Sequence, residues 1–502
     1  MTTAEAPARR SRDRLLRPTL PELWTFLAVA LPVLGALIAT LPTVDLAYQL
    51  RAGAAILAGD GIPATDTWTF TAAGAPWLDQ QWGAQVVLAA IFGVTGWTGL
   101  AVVRAALVAL VFGLTLVAIR RRAPGIGPRT AALLTIAAFI VASPALALRP
   151  QLLGVACFVA TIALLAVRRA QPRAIWLVPI VAIAWANLHG SFILAPLLVG
   201  LAWLEDLHSR APRARTSLAV LIASTAGTLV TPFGLGAWAY AASLATNREV
   251  TARVSEWRPT TLVDVPGVLF WASVVLVAIA VLVLWRRRPG AAPWPMVLTL
   301  IGFAGLGAVT ARGIAWWSIV AVVTLASMAR PLPRLDSASP LPPARTVRGS
   351  AINLGVAAAL VLAGTALLPI WRPIDQGLRA PSGLLAYAPA GITAALRDLA
   401  GAEDRVWNPQ VWGSWFEFAV PAPLYALDSR IEVIPPNVWA DAETIAGAGK
   451  GWDRLLDDRG VTIVVIQEGE APALSDALHA SDAWALRYSD ADGTVWLRLV
   501  RQ

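Results

Sequence analysis

Long apolar runs separated by short arginine-rich or proline-rich stretches fill the chain from residue 20 to residue 370. A helix crossing the hydrocarbon core needs about 20 apolar residues, fewer where its ends are small or snorkelling. The pattern predicts spans at 20–42, 98–120, 130–148, 151–168, 174–188, 191–206, 216–232, 265–285, 293–310, 313–329 and 350–370, about eleven in all. The run 82–95 (WGAQVVLAAIFGVT) is too short to be decided by length. With a cytoplasmic N-terminus and 82–95 not crossing, the clusters Arg120–Arg122 with Arg129, Arg168–Arg173, Arg210–Arg215, Arg286–Arg288 and Arg330–Arg348 all fall inside. A crossing at 82–95 would turn every one of them outward. The positive-inside bias therefore makes 82–95 an interfacial or re-entrant helix.

This topology puts on the outer face the loop 41–97, the tripeptide Arg149–Pro150–Gln151, the turn Asn187–Gly190, the segment 231–264 and Arg312. Residues 331–349 read as a Pro-rich cytoplasmic linker. From Ala390 onward the composition becomes that of a soluble domain. DRVWN, PLYALD and VTIVVIQ read as strands, VWGSWFEFAV and GWDRLLDDRG as helices, and Asp492-Gly493 as a hairpin turn between WALRYSD and TVWLRLV. The reading is a tail at 1–19, a transmembrane domain at 20–370 and an extracytoplasmic α/β domain at 371–502, in a multi-pass plasma-membrane protein. No Gly-rich phosphate loop is present.

Composition agrees. Of 502 residues, 57% are hydrophobic and 14% charged, too little charge to cover a soluble surface. The net charge of +9 comes from arginines clustered between apolar runs, which are topology signals and not a nucleic-acid footprint. Cys157 is the single cysteine, which excludes a disulfide within the chain. The basic N-terminus is followed by a run without a small-residue cleavage site, so the first span is expected to be retained.

Candidate chemistry lies at the outer ends of the spans. Asp45 follows the first span, as a helix-capping acid or a catalytic one. Asp60 and Asp66 flank turns. Asp79 precedes the 82–95 helix, as its cap or as a second acid facing Asp45. Arg149 and Arg312 are outward arginines that run against the topology bias and suit a bound anion. Gln151 adjoins Arg149. Asn187 and His189 sit at one span end, with His189 a donor to phosphate or sugar oxygen. Glu256-Trp257 is a solvated charge cluster or a carbohydrate-facing pair. Trp407, Trp412, Trp415 and Trp439 are core residues or stacking platforms. Arg104 pairs with an acid or lies near the outer interface. With three His in the chain and no second one near His189 in sequence, a His-based metal cluster is not expected; a single divalent cation between Asp45 and Asp79 is the one cofactor the acids leave open.

The layout resembles the GT-C superfamily of membrane glycosyltransferases, the class of protein mannosyltransferases and aminoarabinose transferases. The resemblance rests on one span, an external loop with an acid just after it, and two juxtamembrane helices. The lines GDGIPATDTW and APWLDQQW, RPQ (Arg149–Gln151), NLHG (Asn187–Gly190), TPFG (Thr231–Gly234), EW (Glu256–Trp257), NPxxWGSW (Asn408–Trp415) and LDSR (Leu427–Arg430) are similar to a bacterial subgroup of that class. Many relatives carry a second acid directly after the first; here Leu46 stands there, and Asp79 is the candidate substitute. The resemblance implies an α-helical polytopic bundle with a small C-terminal α/β domain. It also implies transfer of a sugar from a polyprenyl-phosphate donor to a glycan, lipid or protein acceptor. In that reading Asp45 and Asp79 are catalytic, and Arg149, Gln151, Asn187, His189, Glu256 and Arg312 bind substrate. The competing classes are a transporter or envelope-assembly scaffold, which calls for paired helix breaks and repeats, and a lipid-linked glycan ligase or polymerase.

Overall fold

The computed structural model describes residues 17–329 and 349–499, so the 331–349 linker lies almost wholly outside the described residues. The membrane portion contains α1 (Leu20–Ile38), α2 (Thr43–Ala58), α3 (Trp82–Arg122), α4 (Pro128–Ala142), α5 (Pro150–Val167), α6 (Val178–Leu188) and α7 (Leu194–His208). It continues with α8 (Ala214–Gly227), α9 (Leu235–Thr246), α10 (Arg248–Arg253), α11 (Val265–Arg287), α12 (Trp294–Val309), α13 (Ile314–Met328) and α14 (Ala351–Ala366). Among the described residues, 7 helices are long and apolar enough to cross a membrane, and 174–188, 294–309 and 351–366 are shorter apolar helices. The span expected at 216–232 is instead α8, 14 residues, roughly 21 Å long. That is short of a hydrocarbon core of about 30 Å.

The doubtful run 82–95 is the first arm of α3. The helix breaks at Gly96 (φ 60, ψ −158), a conformation open to glycine alone. Phe92 and Trp97 flank the break and meet edge-on at 4.8 Å. The stretch after Gly96 is long enough to span by itself, so the arm folds aside and packs on α2. Arg104, inside the span, pairs with no acid among the described residues. Its guanidinium donates to the carbonyls of Ala36, Ala39 and Thr40, the orphan acceptors at the end of α1. A cation at a helix C-terminus also meets the negative end of its dipole. The arginine thereby fixes where the chain leaves the first span.

Between α1 and α2 lies β1 (Leu41–Pro42), and the C-terminal unit adds β2 (Ile374–Asp375), β3 (Ala380–Pro381), β4 (Leu385–Ala386), α15 (Ala390–Leu399), β5 (Arg405–Trp407), α16 (Gln410–Ala419) and β6 (Leu424–Tyr425). It ends with α17 (Pro436–Ala446), α18 (Trp452–Asp458), β7 (Ile463–Gln467), α19 (Pro472–His479), β8 (Trp484–Ser489) and β9 (Gly493–Arg498). Five strands form one sheet in the order β6-β5-β7-β9-β8, with β5 parallel to both β6 and β7 and the rest antiparallel. Alternate side chains divide between two cores, as the strand period of two requires. Val406, Ile463, Val465 and Val495 join the core that continues into the bundle. Trp407, Val464, Ile466 and Trp496 face the other side, with Trp439 of α17. That two-sided burial is why VTIVVIQ carries no polar alternation. Trp407, Trp412, Trp415 and Trp439 are all buried, so they are core and not sugar platforms.

The hairpin turn differs from expectation. Asp490 makes it, its carboxylate accepting the N–H groups of Asp492 and Gly493. Gly493 opens β9, where a Cβ would lie 2.0 Å from the carbonyl oxygen of Ile466. Close approach, rather than a left-handed turn, demands glycine there.

Candidate active site

The C-terminal unit is laced onto the segment that leaves α1. β1 pairs in parallel with β4, and Thr43 Oγ1 donates to the carbonyls of Ala386 and Tyr387 at 2.9 and 2.8 Å. Farther along, Arg430 lies between Trp68 and Trp77, its guanidinium carbon 4.5 and 4.6 Å from the ring centroids. It pairs with Asp66 at 2.5 Å and with Asp428. Asp66 also accepts from Thr69 N–H and Oγ1, so its turn role and its ion pair coexist. Asn408 accepts from Ala426 N–H at 3.0 Å and donates to the carbonyl of Leu427 at 2.8 Å. These joints are what the NPxxWGSW and LDSR lines build. They present Ser429, Ile431 and Glu432 to the end of the bundle.

Two adjoining cavities lie there. One, of 660 Å³, is walled by Asp45, Tyr48, Gln49, Gln81, Tyr240 and Glu432, with Arg149, Gln151, His189, Trp257 and Arg312 opposite or beside them. The other, of 1040 Å³, is walled by Val44, Leu148, Glu256, Tyr387 and Gln410. Asp45, Arg149, Ser429 and Ile431 line both.

The centre is an ion-pair chain, Asp45–Arg149–Glu256–Arg312. Pro150 opens α5, where a missing N–H costs nothing, and forces Arg149 before it into an extended conformation (φ −160, ψ 171). From there Arg149 reaches Asp45 Oδ2 at 3.0 Å with one nitrogen and Glu256 with the other. Arg312 Nε donates to Glu256 Oε2 at 3.2 Å, and its guanidinium stacks on Trp257 at 4.7 Å. Glu256 is held in place because Thr310 Oγ1 donates to its carbonyl at 2.8 Å. Burial opposes the charge on both partners. Even so, Arg149 and Arg312 hold the Glu256 carboxyl below its ordinary pKa, and Glu256 and Asp45 hold Arg149 above its own. The buried Nε–H of Arg149 has no partner among the described residues.

His189 is a neutral donor. Ser191 N–H donates to its Nδ1 at 3.1 Å, and Ser191 Oγ, which accepts from the Trp185 indole, lies 2.8 Å from the same nitrogen. That pattern assigns the ring hydrogen to Nε2. Burial, with Arg312 and Arg149 nearby, pushes the imidazolium pKa down to about 3.

Asp79 does not line either cavity, contrary to its expected role as an acid facing Asp45. It is buried, takes a 2.6 Å hydrogen bond from Gln85, and its other oxygen has no partner among the described residues. Burial raises its carboxyl to about 7. The acid nearest in linkage to Asp45 is Glu256. Asn187 also stands apart, bonded to the Trp82 indole and to the carbonyls of Ile183 and Val230. Gln151 lines the smaller cavity. Among the described residues no group of three or more His, Cys, Asp or Glu side chains is arranged to hold a metal ion. Asp45 and Glu256 are both paired with Arg149.

Tyr48, Gln49, Gln81, Tyr240, Tyr387 and Glu432 escape a reading of the sequence for charged motifs. One signal is present. Only 5 tyrosines occur in the chain, and Tyr48, Tyr240 and Tyr387 all face these cavities.

No protein-family model matches the sequence, and no curated protein does. The structure is similar to the Archaeoglobus fulgidus oligosaccharyltransferase tethered with an acceptor peptide containing the NVT sequon. The TM-score is 0.54 at 10% identity, over 95% of this chain and 74% of that one. The apo form of the same enzyme gives 0.50 at 10% identity over the same shares. ArnT from Cupriavidus metallidurans in the apo state gives 0.42 at 13% identity, over 94% of this chain and 96% of that one. An apolar helical bundle, an acid-bearing segment directly after its first span and a sheet-bearing unit seated over that segment make up the fold this chain shares with that archaeal oligosaccharyltransferase.

Proposed function

We propose that the chain moves a sugar from a polyprenyl-phosphate carrier to an acceptor hydroxyl where the two cavities meet at the Asp45–Arg149 pair. The observation that carries this is the partly unspent guanidinium of Arg149, its Nε–H buried without a partner among the described residues, beside a carboxylate at the point shared by the two cavities. Val44 and Leu148 line the larger compartment and suit the lipid-bearing donor. Tyr48, Gln49, Gln81, Tyr240 and Glu432 line the smaller one and suit a hydroxylated acceptor; Gln49 Oε1 is buried there without a partner among the described residues. The archaeal neighbour is an oligosaccharyltransferase with a peptide acceptor. For this chain the acceptor class, whether glycan, lipid or protein, stays open.

The acceptor oxygen attacks the anomeric carbon, and the bond from that carbon to the phosphate oxygen breaks in one inverting step. Asp45 Oδ1 takes the hydroxyl proton while Oδ2 stays on Arg149. The departing electron pair goes to the phosphate oxygen, met by Arg149 Nε–H, the Nε2–H of His189 and Arg312. Glu256 is a positioning residue that keeps both arginines in place. In this reading the cavity end faces away from the cytoplasm.

Loss of the general base in Asp45→Asn is expected to slow transfer by about 10²–10⁴-fold. The test is envelope glycan analysis of cells lacking the chain, restored with wild type or with the variant. An envelope unchanged by deletion, or full restoration by Asp45→Asn, overturns the proposal.

A further inference from the structure

The end of the bundle opposite the cavities holds a second charged centre, with no part in the proposed transfer. α5 fixes the separation. Arg149 precedes its first residue and Arg168 follows its last, with 18 residues between them, roughly 27 Å. Around Arg168 converge Arg122 at the end of α3, Arg169, Arg213 before α8, and Glu205 and Asp206 in the last turn of α7. Arg122 grips Glu205 with two bonds of 3.0 and 2.7 Å, and Arg168 reaches both acids, at 2.8 and 3.1 Å. Two carboxylates at a helix C-terminus oppose its dipole, so the arginines are what permit them there.

The charges do not cancel. Four guanidiniums share two carboxylates. Among the described residues Arg169 pairs with one acid, Glu205 at 2.8 Å, and its side chain is 44% exposed. Burial and repulsion from Arg122, Arg168 and Arg213 hold it below its ordinary pKa, despite Glu205. A cleft of 570 Å³ runs from Arg122, Arg168 and Glu205 down between apolar side chains, Leu165, Leu198 and Val323 among them. Trp176, Trp285 and Trp294 at this end are about half exposed, and the Trp294 indole donates to His208 Nδ1 at 2.9 Å. Exposed tryptophans at helix ends mark the headgroup level of a bilayer.

We propose that this centre binds one anionic phospholipid. The phosphate rests on Arg169 and Arg122, and part of an acyl chain lies in the cleft beneath them. A cationic rim over an apolar cleft at headgroup depth matches that chemistry. The site concerns lipid binding alone, so it stands or falls separately from the transfer reaction.

The test is native mass spectrometry of the full chain in detergent, titrated with phosphatidylglycerol or phosphatidylcholine, with inorganic phosphate as a third arm. The expected result is one retained phosphatidylglycerol per chain, preferred over phosphatidylcholine by on the order of tenfold. Arg169→Gln, at an exposed side chain with one bond to lose, should erase most of that preference while keeping the wild-type melting temperature. Arg122→Gln should deepen the loss. Equal retention of the two lipids, an unchanged preference in Arg169→Gln, or competition by millimolar phosphate as effective as the lipid would each overturn the proposal.

Discussion

At the scale of single residues, burial separates the acids that look alike in sequence. Asp45 faces a cavity and an arginine; Asp79 is enclosed with a glutamine and raised to about 7. Unfolded, Asp79 ionises near 4. Between roughly pH 4 and 7 the unfolded chain therefore gives up a proton that the folded chain keeps, and stability falls as pH rises across that window. Asp79→Asn removes the penalty, so it should melt above wild type at pH 8 and alike at pH 4; thermal unfolding in detergent checks this. His189 is displaced the other way, to about 3, and stays neutral from pH 5 to 8. Its removal in His189→Ala should slow transfer on the order of 10²-fold, with no ionisation near 6 in the wild-type rate profile. An inflection near 6 that vanishes in His189→Gln would contradict the assignment. Charge against type made Asp45, Arg149, Arg312 and Glu256 legible from sequence, because ions near a bilayer need a reason. Glu432 and the tyrosines gave no such sign, since only the closure of the C-terminal unit brings them to the same wall.

Among the elements, a helix lies in each hydrophobic run expected to span, but only 7 of the described helices are long and apolar enough to cross a membrane; the arginine clusters singled out 82–95 as different. What length and hydropathy lacked was the Gly96 break, which depends on one backbone conformation. They also lacked the shortness of α8, whose helix stops at Gly227 while the apolar run continues. The joint at Arg430 was likewise invisible, because its partners are remote in sequence. Removing this arginine leaves Asp66 and Asp428 buried without a cation, beside a Glu417 that burial and Asp428 already hold well above its usual range. Arg430→Met is expected to cost about 3–5 kcal/mol, read as a lower melting temperature and faster proteolysis in 59–81. A variant as stable as wild type would show that the aromatic sandwich alone carries the joint.

For the molecule as a whole, the proposed reaction centre belongs to neither portion of the chain alone. Asp45 and Arg149 come from the bundle, while Ser429, Ile431 and Glu432 complete the walls from the far end of the sequence. The Asp66–Arg430 pair spans 364 positions. A ribosome adding about 5–20 residues per second makes the second partner roughly 20–70 seconds after the first. For that interval the Trp68–Trp77 slot stands open on the nascent chain, and the walls of the proposed site are assembled only as translation nears its finish.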